Sequence, residues 1–360
     1  MTTASKPYNN LPLLPPKVDV ETKKILQKTI QANRALAELK AYANIIPNQS
    51  ILVNSLILQE AKDSSEIENI ITTHDELFRA FSVQTSNVSS SAKEVLNYRE
   101  ALWSGFEHLQ KKPILTVNGI IRIQEIIVQN NAGIRKQPGT VLKNDKTAEV
   151  IYTPPAGIDV INKILKNLEV YMNDDKDAVD PLIRMAIIHY QFESIHPFYD
   201  GNGRTGRILN VLYLIHAELL ELPILYLSTY IIHHKASYYK LLQEVRTKNN
   251  WEGWILYMLD CIEQTAKGTT ERIQRIKKLF DTTAEKVKKE LPKLYSKELV
   301  EVIFSQPYCK INHLVDSNLV ARQAAGRYLT QLEEIGVLKS QKVGRDILYI
   351  NTKLYDLLKG

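Results

Sequence analysis

The sequence predicts a mainly α-helical protein that carries one small β-hairpin and closes with a helical unit ending in a second hairpin. Three observations predict it. Apolar residues recur at three- and four-residue spacing from Asp180 to Ile195 and again from Arg204 to Leu220, the period of helices with a buried face. Between residues 133 and 157 (GIRKQPGTVLKNDKTAEVIYTPPAG) glycines, prolines and short β-branched runs break that period, which is the pattern of a hairpin. From Ser296 onward, SKELVEVIFSQ, KINHLVDSN, ARQAAGRYLTQLEEIGVL and KSQKVGRDILYIN read in order as helix, short helix, longer helix and hairpin.

Taken along the chain, the opening MTTASKPYNNLPLLPP has no basic stretch followed by an apolar core. It reads as a proline-rich arm lying over the body and not as a secretory leader. SNVSSS at 86–91 reads as a loop beside the first helical region. The helix ending at Ile195 is stopped with the help of Pro197, since a residue before proline is pushed out of helical geometry. Lys267 to Leu291 reads as a basic amphipathic helix halted at Pro292. The expected division is an N-terminal helical domain over 1–105, a helical core over 106–266, a connecting basic helix over 267–292 and a C-terminal domain over 293–360.

Composition sets bounds on what such a chain does. The 360 residues, 44% apolar and 24% charged, are enough for two or three domains with a sizeable core. The most apolar stretch, residues 208–232, contains His216, Glu218, Glu221 and Pro223, which makes it unsuited to a bilayer. Cys261 and Cys309 are the two cysteines; far apart and without metal-type spacing, they argue against a disulfide scaffold and for a reducing, cytoplasmic setting. His233 and His234 are adjacent and so point in different directions on a helix, which makes them surface residues and not a zinc pair. Charge is uneven: residues 267–360 hold 18 Lys plus Arg against 11 Asp plus Glu, whereas residues 1–266 hold 28 against 29.

The chemistry concentrates in HPFYDGNGRTGR, from His196 to Arg207, which lies between the two apolar helices. Gly201, Asn202 and Gly203 feed a helix N-terminus, where free N–H groups and the positive dipole end attract anions. Glycine lets those amides approach phosphate oxygens, and Arg204 and Arg207, three apart, project to one side as phosphate clamps. Asp200 is a hard oxygen donor suited to Mg2+ held against the same phosphates. His196 has a side chain that can take a proton from a hydroxyl near neutral pH. Each of these signals is common alone; their conjunction in fixed order points to a polyphosphate-handling site.

This segment matches the Fic family signature HPFx(D/E)GNGRxxR at every specified position, and the chain is identified on it as resembling that family. The resemblance implies a Fic-type helical core and an enzyme that moves AMP from ATP onto a hydroxyl side chain of a target protein, releasing pyrophosphate. In that reading His196 deprotonates the acceptor, and Asp200 holds the Mg2+ cofactor. Gly201, Asn202, Gly203, Arg204, Thr205, Gly206 and Arg207 form the ATP-binding segment. Upstream, Ser64, Glu68 and Asn69 fill the pattern (S/T)xxxE(G/N), which resembles the family's inhibitory helix; a Glu68 carboxylate paired with Arg207 would occupy the donor fork that the γ-phosphate needs. The hairpin at 133–157 resembles the family's flap, which pairs with an extended target segment by strand addition. Tyr238 and Tyr239 fall where an aromatic lines the family's nucleotide pocket. Self-modification and removal of AMP from modified targets are further activities that the resemblance allows, as is a homodimer.

The C-terminal order of elements resembles a winged-helix domain. A second function class follows from it: a nucleic-acid-binding regulator, with Arg322, Gln323 and Arg327 on a recognition helix and Lys342 and Arg345 in the wing. Glu333, Glu334 and the modest basic excess fit a protein-contact module instead. Transfer of another phosphate-containing group by the same loop is the remaining alternative.

Overall fold

The structure, a computed structural model, describes residues 6–46, 48–82, 88–143, 147–174, 178–343 and 346–359. Several of its helices begin where a side-chain oxygen meets the first free amides. Thr22 caps α1 (Lys23–Ala43), Ser89 caps α4 (Ser90–Lys111), and Thr116 caps α5 (Val117–Val128). Asp180 caps α7 (Pro181–Ile195), and Asn250 caps α11 (Trp251–Glu290). Between them lie α2 (Ser50–Ile67), α3 (His74–Ser82), α6 (Ile158–Met172), α8 (Asn202–His216), α9 (Ser228–His233) and α10 (Lys235–Lys248).

Helix α7 is the centre of the core. Nearly every residue from Leu182 to Ile195 is buried, and α1, α6, α8 and α11 pack around it. A helix apolar on all sides can be stable only in such a position. Helix α8 crosses α7 and packs also against α2, α4 and α5, so the two segments flanking His196–Arg207 are the most enclosed helices of the molecule. The polar loop between them is therefore held by walls that cannot shift without opening the core.

The first hairpin is β1 (Leu142–Lys143) with β2 (Val150–Tyr152), antiparallel, with Leu142 opposite Tyr152. The arm before α1 does lie over the body: Leu11 and Leu14 are buried, Asn167 bonds both backbone groups of Leu14, and Gln191 donates to the Pro12 carbonyl. The C-terminal part is α12 (Lys297–Phe304), β3 (Tyr308–Cys309), α13 (Ile311–Asp316), α14 (Arg322–Glu334), β4 (Lys339–Val343), β5 (Asp346–Ile350) and α15 (Thr352–Lys359). Its antiparallel sheet has the order β3-β5-β4, and Leu299, Ile303, Leu329 and Leu348 are among its buried residues. This unit docks on α3, where Phe78 stacks on Tyr308 with ring centroids 6.1 Å apart and the Tyr308 hydroxyl donates to Asp75.

Three sequence expectations differ. The basic helix expected from residue 267 is the second half of α11, which runs unbroken for 40 residues from Trp251. Nothing in that stretch interrupts helical hydrogen bonding until Leu291, which precedes Pro292. In SNVSSS, Ser86 and Asn87 lie outside the described residues, while Ser89 is a helix cap and Ser90 already belongs to α4, because a serine hydroxyl that accepts from Ala92 starts a helix. Helix α8 stops at His216, where Leu219 and Leu220 both donate back to the Leu214 carbonyl and close the helix end before Leu220. Among the described residues no helix is long and apolar enough to cross a membrane, and Cys261 and Cys309 are buried free thiols.

Candidate active site

Helix α7 ends because His196 adopts a left-handed conformation, φ 48° and ψ 59°, while its N–H still bonds the Phe192 carbonyl at 3.0 Å. The chain then turns through Pro197 and is clasped by Asn202, whose side chain accepts from the Phe198 amide at 2.8 Å and donates to the Phe198 carbonyl at 2.9 Å. Gly201, at φ 76°, redirects the chain into α8; a Cβ there would lie 2.9 Å from Val128. Only glycine meets both demands without strain. The first helical bond of α8 runs from Thr205 to the Gly201 carbonyl, so the amides of Asn202, Gly203 and Arg204 have no partner within the helix. Amides free in this way are the feature that the sequence assigns to an anion.

The two arginines beside this helix start already hold a carboxylate. Glu68 closes α2 as its C-cap, and Asn69 follows at φ 64°, with Asn69 donating to the Glu66 carbonyl and Ile70 to the Ser65 carbonyl. This double bond pattern closes a helix end, and it explains the choice of glycine or asparagine in the motif, since the position after Glu68 must be left-handed. Lys235 adds a bond to the Ile67 carbonyl at 2.6 Å. Glu68 Oε1 accepts from Arg207 at 2.8 Å and Oε2 from Arg204 at 2.9 Å. A Cβ on Gly203 would lie 2.6 Å from Oε1, so the carboxylate rests directly on the start of α8.

Both arginine side chains are 2% exposed and are further satisfied. Arg207 donates to the Ser64 hydroxyl at 2.7 Å and the Ser64 carbonyl at 2.9 Å. Ser64 lies one helical turn before Glu68, so both side chains face the same guanidinium. Arg204 reaches Glu94 of α4 at 3.1 Å and Asp200 at 3.4 Å. Burial works against the charge of Arg207, but Glu68, Tyr238, Tyr98 and Glu193 together outweigh it and raise its pKa.

The His196 imidazole is kept neutral. Burial, then the cations Arg135 and Arg246, push it down to about 3, with the Glu193 backbone acting the other way. Its Nδ1 is sealed from solvent. One turn before it, the Glu193 carboxyl is pushed up to about 7 by burial, against the pull of Arg207 and with the push of Glu68. An imidazole that stays neutral at physiological pH is a proton acceptor and not a cation.

The remaining expected site residues separate into two groups. Asp200 is open to solvent, its side chain 69% exposed, with Oδ1 accepting from the Gly201 amide. Thr205 is fully buried, and Gly206 abuts Glu193 and Phe192 of α7, so both serve the helix crossing. The Asn202 side chain, expected at the nucleotide, is committed to Phe198 at both ends. Tyr238 is 1% exposed and bonds His189 at 2.7 Å within a cluster that includes Trp254 and Tyr257. It belongs to the core and not to a pocket lining, whereas Tyr239 is exposed. Adjacent helix positions face about 100° apart, so one of the pair had to be elsewhere. Far from this site, Arg322, Gln323, Arg327 and Lys342 are exposed, and Arg345 lies outside the described residues.

Sequence reasoning missed Glu94, Glu193 and Arg135. Glu94 adjoins Lys93 and Arg135 adjoins Lys136, and no local signal sets either apart from its neighbour. Glu193 could have been noticed as a carboxylate inside a largely apolar helix, one turn before His196.

Three family profiles match the chain. "Fic/DOC family N-terminal" covers residues 26–107, "Fic/DOC family" covers 114–214, and "Protein adenylyltransferase SoFic-like, C-terminal domain" covers 279–354. Among curated proteins, protein adenylyltransferase fic-1 of Caenorhabditis elegans is 41% identical over 56 residues, which is 15% of this chain and 11% of that protein. Protein adenylyltransferase Fic of Nematostella vectensis is 27% identical over 177 residues, 48% of this chain and 38% of that protein. The matched segments thus span less than two fifths of these relatives. A Fic family protein from Desulfovibrio desulfuricans G20 has the same fold, with a TM-score of 0.59 at 17% identity over 93% of this chain and 98% of its own. A Fic domain containing signaling protein from Bacteroides thetaiotaomicron VPI-5482 superposes at 0.54 and 18% identity over 68% and 98%. With the two Fic/DOC profiles together matching more than half of its length, and the same fold in both solved structures, the chain belongs to the Fic/DOC family.

Proposed function

We propose that the chain is a protein adenylyltransferase that transfers AMP from ATP to a hydroxyl side chain of a target protein and is restrained by its own Glu68. One observation carries the reading: a carboxylate from α2 lies beside Gly203 at the start of α8 and takes donors from both Arg204 and Arg207. A site that binds a carboxylate in this way is built for phosphate oxygens, and the bound carboxylate excludes them. On release of Glu68, the β- and γ-phosphates take its place on the two guanidiniums. The α-phosphorus then lies toward His196. The neutral imidazole accepts the proton of the acceptor hydroxyl, the oxygen bonds to the α-phosphorus, and the bond to pyrophosphate breaks. Holding these groups in line and stabilising the phosphate charge provide the acceleration.

Asp200 fits a Mg2+ that arrives with the nucleotide. No group of three or more His, Cys, Asp or Glu that could hold a metal on its own occurs among the described residues, while Asp200 offers one solvent-facing carboxylate, the usual protein share for Mg2+ bound to phosphates. Once bound, the ion neutralises phosphate charge. The hairpin offers its edge to an extended target segment. Tyr152 of β2 donates to the Ser194 carbonyl at 2.8 Å, so such a target would be aligned next to His196.

Incubation of wild type, Glu68→Gly and His196→Ala with Mg2+ and α-labelled ATP tests the reading. Strong labelling of protein by Glu68→Gly, weak labelling by wild type and none by His196→Ala is expected. Equal labelling by all three overturns it. A bare phosphate on the modified peptide in mass spectrometry would assign the loop to the alternative transfer. Self-labelling, and loss of label from a modified target in the presence of Glu68, are the two side activities to follow with the same reagent.

The exposure of Arg322, Gln323, Arg327 and Lys342 supports a second activity of the C-terminal unit, binding of nucleic acid by phosphate contacts. A mobility shift that weakens steeply with salt and disappears in Arg327→Ala is the expected result; absence of any shift at low salt removes it.

A further inference from the structure

We propose that Arg135 is a positioning residue for His196: its guanidinium and backbone amide hold the turn at the end of α7 in the shape that presents the imidazole, and bind that turn to the base of the flap. The inference rests on the reading of His196 as the base.

The guanidinium of Arg135 is 1% exposed, and no carboxylate pairs with it among the described residues. Its partners are carbonyl oxygens. Nε donates to the His196 carbonyl at 2.8 Å, Nη2 donates to that of Ile195 at 3.2 Å, and Nη2 also reaches that of Pro155 where the hairpin returns. The Arg135 backbone amide donates to the Pro197 carbonyl at 2.9 Å. The carbonyls at a helix C-terminus lack helical donors, and a cation there also meets the negative end of the dipole. His196 needs such support, because a side-chain-bearing residue in the left-handed region costs about 1–2 kcal/mol. Burying a charge answered only by carbonyls is itself costly, and the three guanidinium bonds to the turn and the flap base offset that cost.

The same segment ties the loop down elsewhere. The amides of Lys136 and Gln137 donate to the Tyr199 hydroxyl at 3.0 and 3.3 Å. With Tyr152 on Ser194, every carbonyl from Ser194 to Pro197 is bonded by a residue of the flap or its base. A target strand added to the hairpin would therefore act on a backbone that is continuous, through hydrogen bonds, with that of the base. The charge of Arg135 has a second effect: with Arg246 from α10 it disfavours the imidazolium, while the Glu193 backbone of α7 favours it. Tyr152 and Tyr199 are the titratable groups whose charged forms favour the Arg135 cation.

The test uses the full-length chain and two readouts. In NMR titration of the His196 ring, assigned by loss of its signal in His196→Asn, Arg135→Gln should raise the imidazole pKa by about one unit, whereas Arg135→Lys should leave it low. Combined with Glu68→Gly, both variants should lower kcat for protein labelling about tenfold or more, with KM for ATP unchanged, because the residue does not touch the phosphate cradle. Unchanged His196 titration in Arg135→Gln overturns the electrostatic part. Unchanged kcat in Arg135→Lys, or a loss confined to KM for ATP, overturns the positioning. Should Arg135→Gln fail to fold, the kcat of Arg135→Lys alone decides. If the adenylyltransferase reading is wrong, no variant labels protein, yet the titration shift remains, so the two failures are separable.

Discussion

Removing Glu68 should weaken the protein and at the same time make it responsive to nucleotide, and the size of both effects follows from the site. The carboxylate accepts at 2.8 and 2.9 Å from two guanidiniums that are 2% exposed, while its own side chain is 25% exposed. Deleting one member of a fully buried pair costs roughly 3–5 kcal/mol, because a charge is left unanswered. The cost here is smaller: Arg204 keeps Glu94 and Asp200, Arg207 keeps two oxygens of Ser64, and water reaches the vacated space. For Glu68→Gly about 1–3 kcal/mol is expected, and at about 2–4 °C per kcal/mol the melting temperature falls by several degrees. Mg-ATP at 100 times its Kd adds about 2.7 kcal/mol, which restores most of that loss. Wild type should show a clearly smaller nucleotide shift, since its ligand must first displace the carboxylate. Thermal denaturation of both proteins with and without Mg-ATP is the assay. Equal nucleotide shifts, or an unliganded variant as stable as wild type, would refute the claim that Glu68 is both the counter-charge and the competitor.

Three other predictions concern residues around this pair. Glu94→Gln removes one of three acidic partners of Arg204 and should raise basal labelling by α-labelled ATP less than Glu68→Gly does, by a factor of about five or below, as expected for a partly exposed pair worth at most about 1 kcal/mol. Asn69 sits at φ 64°, so Asn69→Gly should be neutral, whereas Asn69→Val should lower stability by about 1–2 kcal/mol in denaturant unfolding and increase labelling by loosening Glu68. Glu60 of α2, mainly through burial, is pushed up from 4.5 to about 7, with Ser228 pulling it down. Its folded state holds a proton that the unfolded chain has released, so its contribution is full below 4.5 and is lost as pH rises through about 7. The melting temperature of wild type should therefore fall more than that of Glu60→Gln between about pH 5 and about pH 8; parallel curves would exclude Glu60 as a source of pH dependence.

What was legible in the sequence was whatever depends on neighbours within one or two turns. Helical period marked α7 and α8, hydroxyl and carboxylate caps sit where side chains can reach the first free amides, and Gly201 and Asn69 stand where left-handed backbone is required. The segment from His196 to Arg207 could be recognised because His196, Asp200, the glycines of the helix start and both guanidiniums lie on one continuous stretch whose local geometry is set by its own residues. Even the pairing of Glu68 with Arg207 could be anticipated, since a short motif stood for it.

Only the tertiary structure decided the rest, because packing joins positions that share no sequence spacing. It brought Glu68 onto Arg204 as well as Arg207, added Glu94 from another helix, and set Arg135 against the end of α7 from about 60 residues away. It also sent Tyr238 into the core and left Tyr239 outside, and it merged the expected connecting helix into α11. Local chemistry specifies which groups are available; which charges are buried together, and so which must be paired, is set by how the helices close over them.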